Sequence, residues 1–283
     1  MVQNNAEPFD LARTGRWISS TCNHRSSTSP GDGDRGLLPP NPYQKTMGLR
    51  IALLNASYDP VETRRNFRRE LDADLVEYHT PSGEIPETVA FDACVVTGSR
   101  ASVYWEEPWI DDLKSWVTGA IGSGLPALGV CFGHQLLADV VGGTVEDIGD
   151  YELGYRTVRR RDGTTLLAGV DEEFTAFTTH SDRVSDLPED ARLLAANDYG
   201  VQGFRANNVF GVQFHPEYDT TTAESVTRNY LGNGREVEDE RVKQVLAGID
   251  DENYAAACKT KQLFDSFTQY VRQHRDVGQP VSG

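Results

Sequence analysis

From residue 47 onward, short apolar runs alternate with stretches whose apolar positions recur at helical spacing. Ile51–Asn55, Asp74–Tyr78 and Phe91–Val96 read as strands, and Val61–Leu71 reads as a charged helix after a Ser57-Tyr58-Asp59-Pro60 loop. Glu107 to about Ser123 predicts an amphipathic helix with Trp109, Ile110, Leu113, Trp116, Val117 and Ile121 on one face. Leu125–Val130 is a further buried strand. It passes through glycines into Leu136, Leu137, Val140 and Val141 at helical spacing, before Gly142-Gly143. Strands alternating with helices predict an α/β fold of flavodoxin-like type, an open and mostly parallel sheet with helices on both faces. Ligands of such sheets gather at the strands' carboxyl ends.

Beyond Thr144 the pattern shifts to shorter strands: Tyr155–Arg159, Phe174–Thr179, Arg192–Ala196, Val201–Phe204 and Val209–Phe214. They predict a small mixed-sheet extension. After Glu217, Val242, Val245, Leu246 and Ile249, then Tyr254, Cys258, Phe264, Phe267 and Val271, keep helical spacing. Two helices packing back on the domain are expected there, in a helical extension of about residues 219–275.

Composition narrows the function classes. The 283 residues are 38% hydrophobic, the balance of a globular chain. No apolar run approaches the ~20 residues of a membrane helix, so no membrane partner is expected. A net charge of −16 argues against a nucleic-acid surface. Five lysines stand against 22 arginines, and this acid excess with scarce lysine suggests adaptation to high salt. An ordinary acidic cytosolic protein is the alternative. Cys22, Cys94, Cys131 and Cys258 show no metal-type or paired spacing, which suggests a reduced cytoplasm with one working thiol and no metal.

Residues 1–46 stand apart. Arg13, Arg16, Arg25, Arg35 and Lys45 against Glu7, Asp10, Asp32 and Asp34 leave this segment at +1 and residues 47–283 at −17. It is rich in Ser, Asn, Pro and Gly and lacks the apolar core of a signal peptide. Met47 begins Met-Gly-Leu-Arg-Ile-Ala-Leu-Leu, as a first strand would. Residues 1–46 are therefore expected to be disordered, or to precede the natural start, with one domain over 47–283.

The chemistry concentrates at Leu128-Gly129-Val130-Cys131-Phe132-Gly133-His134-Gln135, where strand, tight turn and helix carry G-x-C-x-G. That is the plan of a nucleophile elbow. Gly129 and Gly133 leave room where a side chain would clash, and Cys131 sits at a helix N-terminus, which suits a nucleophilic sulfur. Further along, the Val209–Phe214 strand ends in His215-Pro216-Glu217. Residues two apart on an extended chain share a side, so His215 and Glu217 face one site as base and orienter for Cys131. Taken alone, His215 would be a strand-end histidine and Glu217 a solvated charge.

The Leu-Gly-Val-Cys-Phe-Gly-His-Gln segment at 128–135 and Gln-Phe-His-Pro-Glu at 213–217 resemble the paired signatures of class I, triad-type glutamine amidotransferases. The resemblance is greatest to stand-alone GMP-synthase-like members, covers about residues 48–275, and requires no metal or organic cofactor. It implies glutamine as substrate and cleavage of its side-chain amide through a γ-glutamyl thioester on Cys131. It further implies an oxyanion hole from the N–H groups of Gly98 and Phe132. Thr178–Val184 resembles the family's Ser-His-Gly-Asp-type segment, which puts backbone groups of His180 and Ser181 on the substrate. Ser181 stands where glycine is usual, and Arg100-Ala101-Ser102 replaces a continuation richer in proline and glycine. Gln135 matches a position contacting the substrate's α-amino-acid end, with packing of the elbow helix as the competing explanation. No phosphate-loop or pyrophosphatase motif is present, so a synthetase or acceptor subunit in trans is expected. The alternatives are a γ-glutamyl hydrolase acting on other γ-glutamyl amides and a non-catalytic regulatory module.

Overall fold

The computed structural model describes residues 48–232 and 237–277, and the expectation for residues 1–46 lies outside them. Strands β1 (Arg50–Asn55), β2 (Asp74–His79), β3 (Ala93–Val96), β4 (Ala127–Val130) and β9 (Val209–Val212) pair in parallel, in the order β2-β1-β3-β4-β9. Alternation explains why these strands read as continuous apolar runs. Ile51, Leu53, Ala93, Val95, Leu128, Val130, Phe210 and Val212 point into one core. Ala52, Leu54, Cys94, Val96, Ala127 and Val209 point into the other. A parallel sheet covered on both faces needs this double burial.

Helices supply the covers. α2 (Pro108–Gly122) contributes Ile110, Leu113 and Val117 to one face, and α3 (Phe132–Val140) adds Phe132, Leu136 and Leu137. The other face is closed by Phe67 of α1 (Pro60–Glu70) and by Leu263, Phe264, Phe267 and Val271 of α7 (Gln262–Val277). Phe264 meets Phe67 edge-on at 6.0 Å, and Phe267 meets Phe210 at 6.1 Å. The C-terminal helix is thus a layer of the core.

Beyond β9 the sheet turns antiparallel through β8 (Gly200–Ala206), β7 (Arg192–Asn197), β5 (Thr144–Arg160) and β6 (Glu173–Asp186). Here the structure corrects the expectation of short strands: β5 runs 17 residues and β6 runs 14. Their ends are half-exposed, and a register shift between Asp147 and Glu152 breaks the alternation that would have revealed their length. The C-terminal region also differs. Among the described residues four helices form instead of two: α4 (Thr220–Arg228), α5 (Asp239–Ala247), α6 (Asp251–Ala257) and α7. A single turn of tighter helix at Cys258–Lys261 splits what sequence spacing read as one helix. Asp219 and Asp250 cap α4 and α6 by accepting from the backbone N–H of Thr222 and Asn253, each at 2.8 Å. Among the described residues no helix is long and apolar enough to cross a membrane.

Candidate active site

The elbow forms as its glycines require. A Cβ on Gly129 would lie 2.2 Å from the carbonyl oxygen of Gly133, and one on Gly133 would lie 2.2 Å from that of Val96. Strand β4, helix α3 and strand β3 therefore meet backbone to backbone. Between the two glycines Cys131 adopts φ 54°, ψ −106°, a conformation rare for a residue with a side chain. Its backbone N–H donates to the Val212 carbonyl at 2.9 Å, extending the β4–β9 ladder by one step, and its Sγ lies 3.8 Å from the Thr179 carbonyl.

His215 follows β9, with its backbone N–H donating to the Phe177 carbonyl at 2.8 Å. Its Nδ1 is 2.8 Å from Glu217 Oε1, and both side chains are 3% exposed, so the pair exchanges little with solvent. Burial alone would lower the imidazole's pKa. The charges of Glu217 and Cys131 outweigh it and raise the pKa to about 10. A Cβ on Gly98 would lie 3.0 Å from His215 Cε1 and 3.6 Å from Cys131 Cβ, so only a glycine leaves room there between the two side chains.

Gly98, Cys131, Gln135, His180, Ser181, His215 and Glu217 all line one cavity of about 230 Å³. The side chain of Phe132 instead enters the core under α2, leaving its N–H among the unpaired donors of the first helical turn. Gln135 Nε2 donates to the Asp182 carbonyl at 3.0 Å and to Gln213 Oε1 at 3.1 Å, binding the elbow helix to β6 and the end of β9. The ring of His180 is likewise engaged: Nδ1 lies 2.8 Å from the Asp182 carbonyl and Nε2 lies 2.7 Å from the buried Glu152. Asn197 and Gln202 also donate to Glu152. His180 and Ser181 thus sit mid-strand in β6, on a wall fixed from behind. Among the described residues no cluster of His, Cys, Asp or Glu is placed to hold a metal ion.

Several neighbours escaped sequence reasoning. Tyr218 lies flat on His215, with ring centroids 4.1 Å apart and planes at 19°. Burial first, and then the Glu217 charge, push its hydroxyl well above the usual tyrosine range. Arg69 of α1 donates to the Glu217 carbonyl and, at 2.9 Å, to Asp219. Lys261, from the extension, pairs at 2.5 Å with Glu70, which also pairs with Arg69 at 2.6 Å. Tyr218 stood beside a recognised motif and could have been noticed. The arginine, 148 residues before its partner Glu217, left no local signal. Cys94 and Cys131 are free thiols.

Comparison with known proteins identifies the family. The family model "Glutamine amidotransferase class-I" matches residues 55–231. The glutamine-hydrolysing GMP synthase of Thermomicrobium roseum is 31% identical over 236 residues, covering 75% of this chain and 44% of that protein. A glutamine-hydrolysing GMP synthase subunit of Sulfolobus acidocaldarius is 35% identical over 145 residues, which are 50% of this chain and 76% of that one. A crystal structure of a glutamine amidotransferase from Thermotoga maritima superposes with a TM-score of 0.67 at 21% identity, over 78% of this chain and 99% of that one. The chain spans slightly less than half the length of GMP synthases such as the Thermomicrobium protein.

Proposed function

Because the chain belongs to the class-I glutamine amidotransferase family, we propose that it hydrolyses the side-chain amide of glutamine at Cys131 and passes the ammonia to an acceptor enzyme on another chain. The domain is taken to span residues 47–283, its helical extension (about 219–275) included. A cytoplasmic, high-salt setting fits the acid excess with few lysines.

In this reading the Sγ of Cys131, as thiolate, attacks the amide carbon, forming a C–S bond and driving negative charge onto the oxygen. The N–H groups of Gly98 and Phe132 meet that charge. The imidazolium of His215 gives its Nε2 proton to the departing nitrogen, the C–N bond breaks, and ammonia leaves a γ-glutamyl thioester. Neutral His215 then takes a proton from water, whose oxygen attacks the thioester. The C–S bond breaks to give glutamate and regenerate the thiolate–imidazolium pair. Glu217 holds the ring through Nδ1 at each stage. The observation that carries this reading is the buried contact of 2.8 Å between His215 Nδ1 and Glu217, beside a cysteine at positive φ.

A second reading is a γ-glutamyl hydrolase. The cavity is also walled by Tyr58, Glu62, Asn229 and Tyr230, which belong to neither motif, and that room supports a substituted leaving amine. Steady-state rates on glutamine and on a γ-glutamyl dipeptide, in molar salt with and without native cell extract, separate the two. The amidotransferase reading expects slow glutaminase activity that rises with extract, and none in Cys131→Ala. High activity on the dipeptide, negligible glutaminase activity and no response to extract would overturn it.

A further inference from the structure

We propose that Tyr218 is a positioning residue for His215, its ring face holding the imidazole in plane and stabilising the protonated ring. The inference rests on the reading of His215 as the base for Cys131. The contact to Glu217 fixes one ring atom and leaves the imidazole free to tilt about it. Gly98 abuts the Cε1 edge. What closes the remaining freedom is the Tyr218 face, at 4.1 Å and 19°.

The tyrosine is itself held. Its ring packs on Phe177 at 5.8 Å, and Phe177 also receives the backbone N–H of His215. Its chain neighbours are anchored too: Glu217 by Arg69 at its carbonyl, and Asp219 by Arg65 and Arg69 at 3.1 and 2.9 Å. A rigid aromatic face parallel to an imidazole prefers the cation, because the ring quadrupole presents negative charge. The neutral hydroxyl leaves that face a plain quadrupole. The titratable and charged groups around the stack are Cys131, Glu217, Glu62 and Tyr230, with Asp219 and the two arginines beyond. None of them lies between the rings, so the effect of the face is separable from theirs.

The test needs no substrate. The rate of Cys131 alkylation by iodoacetamide is followed against pH, read by peptide mass, in wild type, Tyr218→Phe, Tyr218→Leu and His215→Asn. Losing the face weakens the imidazolium, so in Tyr218→Leu the alkaline step of the curve, where His215 gives up its proton beside the sulfur, should move down by about 0.5–1.5 pH units. Tyr218→Phe should follow the wild-type curve, and kcat on glutamine should fall in the leucine variant with KM unmoved. If leucine prevents folding, Tyr218→Met supplies the non-aromatic comparison. Overlap of the leucine or methionine curve with wild type overturns the proposal, as does a phenylalanine curve displaced equally far. A His215→Asn curve identical to wild type would instead remove the base reading itself, and the proposal with it.

Discussion

Gly133→Ala tests whether the close approach at the elbow is structural. The added Cβ would sit 2.2 Å from the Val96 carbonyl oxygen and 2.9 Å from Val96 Cβ. Ordinary contact is about 1.2 Å farther from that oxygen, and Val96 cannot yield cheaply because β3 is paired with β1 on one side and β4 on the other. Overpacking of this kind costs about 1–3 kcal/mol. Against it stands the gain of alanine over glycine in a helix, about 0.5–1 kcal/mol at most and less in a first turn. The clash should win, leaving a net loss of about 1–2 kcal/mol. The control is Gly119→Ala in α2, where an added Cβ meets nothing within 4 Å. The same chemical change should there stabilise by about 0.5–1 kcal/mol. Urea unfolding reads both as shifts of midpoint at constant slope. A Gly133→Ala midpoint equal to wild type, with Gly119→Ala behaving as stated, would refute the reasoning.

Two further outcomes are expected. Glu217→Gln should be milder than His215→Ala, since an amide still holds the ring whereas loss of the base removes about 10²–10⁴ in rate; equal and total losses in glutaminase assays would show Glu217 to be more than an orienter. His134 is fully buried, and that burial lowers its pKa to about 3. The unfolded chain then binds a proton below about pH 6.5 that the folded chain refuses, so stability falls with pH by up to about 1.4 kcal/mol per unit between about 6.5 and 3. His215, raised to about 10, acts in the opposite window: its contribution is complete below about pH 6.5 and is lost as pH climbs through 10. Unfolding of His134→Gln at pH 4 and 6.5 should show a flatter dependence than wild type; an unchanged slope would exclude His134 as the source.

The parallel half was legible because its strands are buried on both faces, which makes Ile51–Leu54 and Ala93–Val96 continuous apolar runs. The turn at Cys131 and the His215–Glu217 contact were legible because each lies in a few contiguous residues. The antiparallel half was less so: β5 and β6 are partly solvent-facing, and polar residues such as Glu146, Asp147 and Arg183 interrupt the alternation. Support for the site was hidden for another reason. Arg69 to Glu217 and Lys261 to Glu70 are pairings between distant segments, and each residue alone resembles a solvated surface charge.

His215 lies 84 residues after Cys131, yet the two stand on neighbouring strands, because Val130 pairs with Val212 and Cys131 extends the same ladder. The separation of sulfur and imidazole is therefore set by hydrogen bonds between β4 and β9, and the length of chain between them does not enter. The excursion through β5, β6, β7 and β8 is free to lengthen or shorten at its turns without altering that separation, provided β9 returns in register. Insertions and deletions at those turns leave the spacing of Cys131 and His215 where the ladder puts it. The sheet thus divides its tolerance to sequence change unevenly, leaving the β5–β8 turns free to change length and the β4–β9 register not.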